Sequence, residues 1–385
     1  MSIIVQKFGG TSTNTYEKRD MIQARVEQAK AEGHQVACVV SAMGRRGEPY
    51  ATDTLLDLVL AEYSDVSLRE MDMIAVCGEH IAGSIIAAHL QKGGHKACYL
   101  TGQQAGILTN GNYTESDLVK FDPSRLEELI AEGYTPLVGS GQGYADKGEL
   151  CMLGRGGGDT SAAILGVGLQ ADETVIYTDV SHIMTADPRV VPNARKLESI
   201  SYQNCADMAL NGAKVVHPRA VEIAAKRPEM ALYIRGLNST ERGTLIGPGV
   251  DSEPRCVGAA AQTGDVLVEA AMEGELAQAC INAGLELTAA QANGKECFVI
   301  SAKDARRFRY LMNETGKSPV VTEDLTRVSL IGDKLNEMND VLGRICAQAE
   351  GGAIASRFTP GACSVWVAGD GKSTLLKVHK EFLEG

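Results

Sequence analysis

Through its first 250 residues the chain alternates short β-branched runs with longer stretches of helical periodicity, and this alternation most narrows its fold. Ile3–Phe8 reads as a strand. Tyr16–Glu32 reads as a helix, with Ile22, Val26 and Ala29 on one face and Gly33 just beyond its end. Further strands are expected at Val36–Ser41, Ala97–Leu100, Thr135–Val138, Glu173–Thr178 and Ala231–Arg235, with helical patterns between them. Strand–helix alternation predicts an α/β fold, an open and mostly parallel sheet covered by helices on both faces. Such sheets bind ligands at the carboxyl ends of their strands, so glycine-rich turns after strands are where chemistry is expected.

Near Gly243–Glu253 the texture changes, and Gly-Thr-Leu-Ile-Gly-Pro-Gly marks a boundary. Beyond it, Val266–Ala271, a helix near Glu273–Ala283, strands near Leu285–Gln291 and Glu296–Ser301, a helix near Lys303–Glu314 and a strand near Pro319–Thr322 give β-α-β-β-α-β. The pattern restarts with Arg327–Ile331, a helix near Asn336–Ala349, strands near Ala353–Phe358 and Ser364–Val367, and a helix at Ser373–Leu383. Two consecutive ferredoxin-like α+β units are expected. The predicted division is 1–247, 255–323 and 324–385.

Composition excludes several classes. At 385 residues, 44% apolar and 22% charged, the chain is neither disordered nor collagenous. Its 49 acidic against 37 basic residues give a net charge of −12, which disfavours nucleic acid and anionic membranes as partners. No apolar stretch of membrane-spanning length is read, and Met1–Gln6 lacks the pattern of a signal peptide. Ten cysteines without CxxC or zinc spacing read as buried free thiols in a reducing cytoplasm, and no metal cluster is expected.

Three groups of residues could carry chemistry. Lys7-Phe8-Gly9-Gly10-Thr11-Ser12 ends the first strand, and its glycines allow the backbone close to an anion. Lys7 shares a sheet face with Ile3 and Val5, so it needs a partner, and phosphate is a natural one. The lysine precedes the glycines, so this is not a Walker A loop. Leu153-Gly154-Arg155-Gly156-Gly157-Gly158-Asp159-Thr160-Ser161 is costly to order, and its amides open a helix where anionic oxygens bind. Arg155 can hold a carboxylate or phosphate bidentately, and Asp159 can orient a cation or a magnesium-bound water. Thr178-Asp179-Val180, Asp187-Pro188-Arg189 and Gly212-Ala213-Lys214-Val215 form the third group, with Glu79 at a helix as a further candidate.

These segments resemble the aspartate kinases. The likeness rests on Lys7–Ser12, Val39–Gly44, Tyr50–Leu56, Leu100–Gly102, Gly154–Ser161, Thr178–Val180, Thr185–Val191, Gly212–Lys214 and His217–Arg219, in order over the first 247 residues. Met43–Leu56 looks like the short, diaminopimelate-sensitive bacterial type. The resemblance implies an amino-acid-kinase fold followed by two ACT domains, and ATP-dependent phosphorylation of L-aspartate to 4-phospho-L-aspartate with Mg²⁺. It implies that Lys7, Asp159 and Lys214 are catalytic. Lys7, Phe8, Gly9, Gly10, Thr178, Asp179, Met184, Arg189, Lys214 and Val215 would bind nucleotide. Ser41, Thr52, Glu79, Arg155, Gly156, Gly157 and Gly158 would bind aspartate, with Arg155 on its α-carboxylate and Glu79 on its α-ammonium. An amino-acid effector at the ACT-like units and a homodimer are expected as well.

The chain departs from the family in places. Gly158 stands where the family usually has serine, and Gly141 where it usually has phenylalanine. Loss of a hydroxyl and a ring predicts a larger, looser amino-acid pocket. Met184 replaces a common tyrosine, and the turns opening the ACT-like helices, Met272–Glu275 and Leu335–Asp340, lack the usual Pro-Gly. Two alternatives stay open: a paralogue phosphorylating another carboxylate, and a catalytically silent amino-acid sensor.

Overall fold

The computed structural model describes residues 2–213, 216–249, 253 and 255–384. It divides into two compact units: Met1–Ile183 with Glu198–Tyr202 and Val216–Pro248, and Met184–Leu197 with Gln203–Val215 and Gly249–Gly385.

The first unit carries β1 (Ile3–Phe8), β2 (Gln35–Val40), β3 (Ala97–Leu100), β4 (Ile107–Thr109), β5 (Leu118–Phe121), β6 (Thr135–Gly139), β7 (Gln142–Tyr144), β8 (Leu150–Met152), β9 (Glu173–Thr178), β10 (Ser199–Ser201), β11 (Ala231–Gly236) and β12 (Thr244–Gly247). The helices up to that point are α1 (Tyr16–Ala31), α2 (Thr52–Glu62), α3 (Leu68–Lys92), α4 (Ser124–Ala131), α5 (Gly157–Gly168), α6 (Tyr202–Leu210), most of which belongs to the second unit, and α7 (Pro218–Ala224).

Eight strands form one sheet in the order β10-β12-β11-β9-β1-β2-β6-β3. Only β11 and β12 run antiparallel; the other neighbours are parallel. The pleat explains the burial. Ile3, Val5 and Val39 join the core cluster that includes Ile164 and Leu165 of α5, whereas Ile4, Phe8 and Val40 join the one that includes Ile22 and Val26 of α1. Two-residue periodicity therefore puts Lys7 on the α5 face, and the carboxyl ends of β9, β1, β2 and β6 lie side by side.

A second sheet, β5-β4-β7-β8, leads the chain into the triple-glycine turn. Its strands are three or four residues long, too short for a period to register.

Helix α3 corrects the reading that no stretch suits a membrane. Its 25 residues are, among the described residues, the one helix long and apolar enough by length and composition to cross one. Its Ala75, Val76, Ala82, Ile86 and Leu90 are buried in this unit, together with Asp72 and Glu79.

The second unit contains β13 (Arg255–Val268), α8 (Glu275–Asn282), β14 (Leu287–Ala292), β15 (Lys295–Ile300), α9 (Ala305–Thr315) and β16 (Val321–Asp333), then α10 (Val341–Gln348), β17 (Ala355–Phe358), β18 (Ala362–Ala368) and α11 (Lys372–Leu383). Both ferredoxin-like runs of elements are present. Their strands close into one ring, β13-β15-β14-β17-β18-β16. The expected strands near 319–322 and 327–331 are one continuous β16, which pairs with β13 along almost its whole length. Trp366 fills the interior, its Nε1 donating to Asp265 Oδ2 at 2.9 Å, with Arg327 Nε 3.7 Å from the same oxygen.

Candidate active site

Lys7 leaves β1 on the α5 face, and its Nζ lies 2.8 Å from Asp159 Oδ1 in the first turn of α5. Both side chains are about 15% exposed, shielded yet reachable by a ligand. The turn before α5 is forced by its glycines. Gly154 and Gly156 have φ of +75° and +71°, and a Cβ on Gly156 would strike the His217 ring at 2.3 Å. Gly156 is the N-cap and supplies no side chain, which leaves first-turn amides open to an anion. Arg155 is exposed, and among the described residues no hydrogen bond or ion pair holds it.

Two struts hold this turn. Arg219 Nη1 donates to the carbonyls of Leu153 (2.8 Å) and Ser116 (3.1 Å). Asp72, buried in α3, accepts from the amides of Thr114 (2.9 Å) and Met152 (2.9 Å), which fixes β8 as it enters the turn. Burial raises the Asp72 carboxyl above its usual range, and those amide donors pull it back. Sequence reasoning missed Asp72, because it reads as one polar residue inside the apolar helix pattern Met71–Ile74.

The loop after β1 is tied to the loop after β2. Gly44 N–H donates to Gly10 O at 3.0 Å, and Ser12 N–H to Gly9 O at 2.8 Å. A Cβ on Gly10 would meet Ala42 O at 2.6 Å, whereas one on Gly9 would meet only Lys7 Nζ at 3.6 Å. Phe8 is fully buried and stacks on Tyr177 at 5.1 Å, so only its backbone can serve a ligand.

Glu79 sits inside the unit, 4% exposed. Its Oε1 accepts long bonds from Ala42 N–H and Thr52 Oγ1, both 3.4 Å, and Oε2 has no partner. Desolvation lifts this carboxyl from 4.5 to about 7. Gly78 lets α3 approach so closely: a Cβ there would lie 2.6 Å from both Ala42 Cβ and Tyr50 O. A buried carboxylate with one oxygen unsatisfied is chemically matched to a cation that enters from outside.

Ser41 Oγ donates to Ser140 Oγ at 3.1 Å beside this array. At the two glycine departures a backbone and a hydroxyl stand close by. Gly141, at φ +67°, packs its Cα against Gly157, where a Cβ on Gly157 would come within 2.8 Å of it. The space beside Gly158 is taken by Ser140 Oγ, 2.9 Å from where a Cβ would stand. Thr178 and Asp179 end β9 as expected, with Thr178 Oγ1 donating to Asp179 Oδ1 at 3.1 Å and exposed Arg45 pairing with Asp179 at 3.3 Å.

Lys7, Gly9, Gly10, Ser41, Thr52, Glu79, Gly156–Gly158, Asp159, Thr178 and Asp179 all belong to the first unit, as does Arg155. Met184 and Arg189 belong to the second. There Met184 bridges Lys196, and Arg189 pairs bidentately with Asp187 at 2.6 Å and 3.0 Å. Lys214 and Val215 lie outside the described residues. Among the described residues no group of three His, Cys, Asp or Glu side chains could hold a metal alone. A magnesium ion carried on phosphate oxygens fits this donor set, because it needs only a carboxylate or two from protein, and Asp159 is suitably placed.

The amino acid kinase family model matches residues 2–236. Aspartokinase 1 of Bacillus subtilis is 36% identical over 360 residues, covering 90% of this chain and 89% of its own. The aspartokinase of Geobacillus stearothermophilus is 40% identical over 257 residues, 67% of this chain and 62% of its own, and aspartokinase 2 of Bacillus subtilis is 44% identical over 246 residues, 64% of this chain and 59% of its own. The structure superimposes on E. coli aspartokinase III in complex with aspartate and ADP with a TM-score of 0.81, at 21% identity and full coverage of both chains. The same protein in complex with lysine and aspartate gives 0.72, at 20% identity and 99% coverage of both. A buried acid, a lysine–aspartate pair and a glycine turn at the open end of a parallel sheet thus stand in a sequence that matches along nearly its whole length: the chain belongs to the amino acid kinase family and, within it, to the aspartokinases.

Proposed function

We propose that this chain transfers the γ-phosphoryl group of ATP to the side-chain carboxylate of L-aspartate, giving 4-phospho-L-aspartate and ADP. The observation that carries the reading is the Lys7–Asp159 pair at the first turn of α5, flanked by two glycine loops, in a chain of aspartokinase sequence. The acceptor carboxylate is already ionised at neutral pH and needs no general base. What the transfer needs is alignment, and positive charge over the oxygens of the migrating group.

In this reading Lys7 with the Gly9–Gly10 backbone grips the transferred phosphoryl group, and Phe8 contributes its backbone alone. Asp159 holds the lysine amine in place. Thr178 and Asp179 take the nucleotide at the end of β9, and Met184, Arg189, Lys214 and Val215 keep the nucleotide-binding role that the family resemblance implies. Arg155, which no residue of the described chain engages, takes the α-carboxylate. Glu79 takes the α-ammonium with its free Oε2, beside Thr52 and Ser41. Gly156–Gly158 bring helix amides to the substrate. Mg²⁺, bound to the nucleotide phosphates and near Asp159, would supply charge neutralisation.

The functional division is a catalytic domain at 1–247 and ACT-like units at 255–323 and 324–385. The second unit would take an amino-acid effector at its helix-opening turns. A homodimer is proposed; the strand ring closes on itself, so helix faces would form the contact. Ten free cysteines suit the cytoplasm.

ADP release measured across a panel of amino acids tests the activity. Turnover best with L-aspartate is expected. Turnover only with another acid, or none, would overturn it.

A further inference from the structure

Ser41 and Ser140 follow adjacent strands. β2 and β6 pair in parallel through Val40 and Gly139, so the next residues stand side by side, and Ser140 N–H donates to Val40 O at 3.0 Å. Ser41 Oγ donates to Ser140 Oγ. Ser140 is only 6% exposed, and among the described residues nothing accepts its own hydroxyl hydrogen. A shielded donor without an acceptor costs free energy unless a ligand completes it.

Gly158 shows where that hydroxyl sits. A Cβ at 158 would lie 2.9 Å from Ser140 Oγ, 3.0 Å from Lys7 Cε and 3.3 Å from Ser41 Oγ. One small volume, beside the lysine and in front of the first turn of α5, is therefore shared by three groups from three elements. A side chain at 158 and the hydroxyl of Ser140 cannot both occupy it without displacement.

We infer that Ser140 is a specificity-determining residue of this site. Its hydroxyl donates to a carboxylate oxygen of the acidic amino acid at the end next to Lys7, and it does from β6 what a hydroxyl on α5 at position 158 would otherwise do. The inference rests on the phosphotransfer reading above. It follows that serine at 140 and glycine at 158 are one coupled choice. A charge-assisted bond from a hydroxyl to a carboxylate is short and strong, and the relay from Ser41 polarises it further.

The test is a double-mutant cycle with S140A as a separate minimal variant. S140A is expected to raise KM for L-aspartate at least fivefold while KM for ATP stays within twofold. S140G and G158S are each expected to lose at least fivefold in kcat/KM for L-aspartate, the first by losing the donor, the second by crowding Ser140. S140G/G158S is expected to return to within threefold of the parent. An L-aspartate KM within twofold of the parent in S140A, or a double variant whose loss equals the product of the single losses, would overturn the assignment. If G158S fails to fold, S140A and the double variant still decide. Titration of L-aspartate by calorimetry, with a non-hydrolysable ATP analogue present, reads the same ratios without turnover. A parent that binds but does not turn over therefore sinks the phosphotransfer reading and leaves the Ser140 comparison decisive.

Discussion

Lys7 Nζ and Asp159 Oδ1 are 2.8 Å apart, joining the first strand of the sheet to the opening turn of the helix that covers the same face. The pair is shielded without being sealed. A lysine here is held by one carboxylate and keeps its remaining hydrogens for an incoming anion. Asp159→Asn should therefore lower kcat by about tenfold or more while leaving KM for L-aspartate within threefold, because the lysine loses its anchor and the amino-acid contacts stay. Steady-state kinetics with each substrate varied separately checks this; an unchanged kcat would remove Asp159 from the mechanism.

Glu79 has the largest consequence for pH. The buried carboxyl holds its proton to about 7, whereas the unfolded chain releases it near 4.5. Between those values the native state binds more protons, so this residue makes stability fall as pH rises through that window. Glu79→Gln removes the fall, and at pH 8 the variant should be more stable than the parent by roughly 1–3 kcal/mol, readable by denaturant titration. The same substitution should raise KM for the amino acid far more than that for ATP. In the parent, KM for L-aspartate should climb roughly tenfold per pH unit below 7, as the anion that receives the ammonium is lost. A flat KM between pH 6 and 8 would contradict the assigned role.

Neighbouring glycines in the β1 loop should differ sharply. Gly10→Ala drives a Cβ to 2.6 Å from the Ala42 carbonyl, backbone against side chain with no flexible end to yield, and should cost about 1–3 kcal/mol. Gly9 has φ −74° and no neighbour nearer than the Lys7 amine at 3.6 Å. Gly9→Ala should fold with an unchanged thermal midpoint and show its loss, if any, in KM for ATP. Melting curves of the two variants separate the cases.

Asp72→Ala should destabilise the protein by roughly 1–3 kcal/mol, since it strands the amides of Thr114 and Met152 in a buried place. Asp72→Asn keeps one acceptor oxygen and should recover part of that. Equal melting temperatures for parent and alanine variant would refute the role of Asp72 as the strut behind the glycine turn.

Much of the first unit was legible because its information is local. Ile3–Phe8, Ala97–Leu100 and Glu173–Thr178 are strands with the expected ends, since short apolar runs, β-branched in the first and third, are bounded by glycine or polar residues. Period two alone put Lys7 on the face of Ile3 and Val5, which the structure shows to be the face covered by α5. Other features depend on partners distant in sequence. The three-residue strands β7 and β8 exist through their pairing with each other, and β16 runs unbroken through the expected gap because β13 lies along it. Ser140 and Asp72 gave no signal, since each acts through a neighbour many positions away. The two family departures at Gly141 and Gly158 read as missing side chains, and what stands beside them, the Gly157 backbone and the Ser140 hydroxyl, is visible only in space.

In the proposed reaction Lys7 acts on the phosphoryl group that L-aspartate receives. The most direct measurement is the initial rate of acyl-phosphate formation from ATP and L-aspartate, trapped with hydroxylamine, in the parent and in Lys7→Ala. Aspartate-dependent product is expected in the parent and a rate more than tenfold lower in the variant, the scale of a lost charge-assisted contact worth about 2–4 kcal/mol in the transition state. A parent without aspartate-dependent product, or a variant with a near-normal rate, would contradict it.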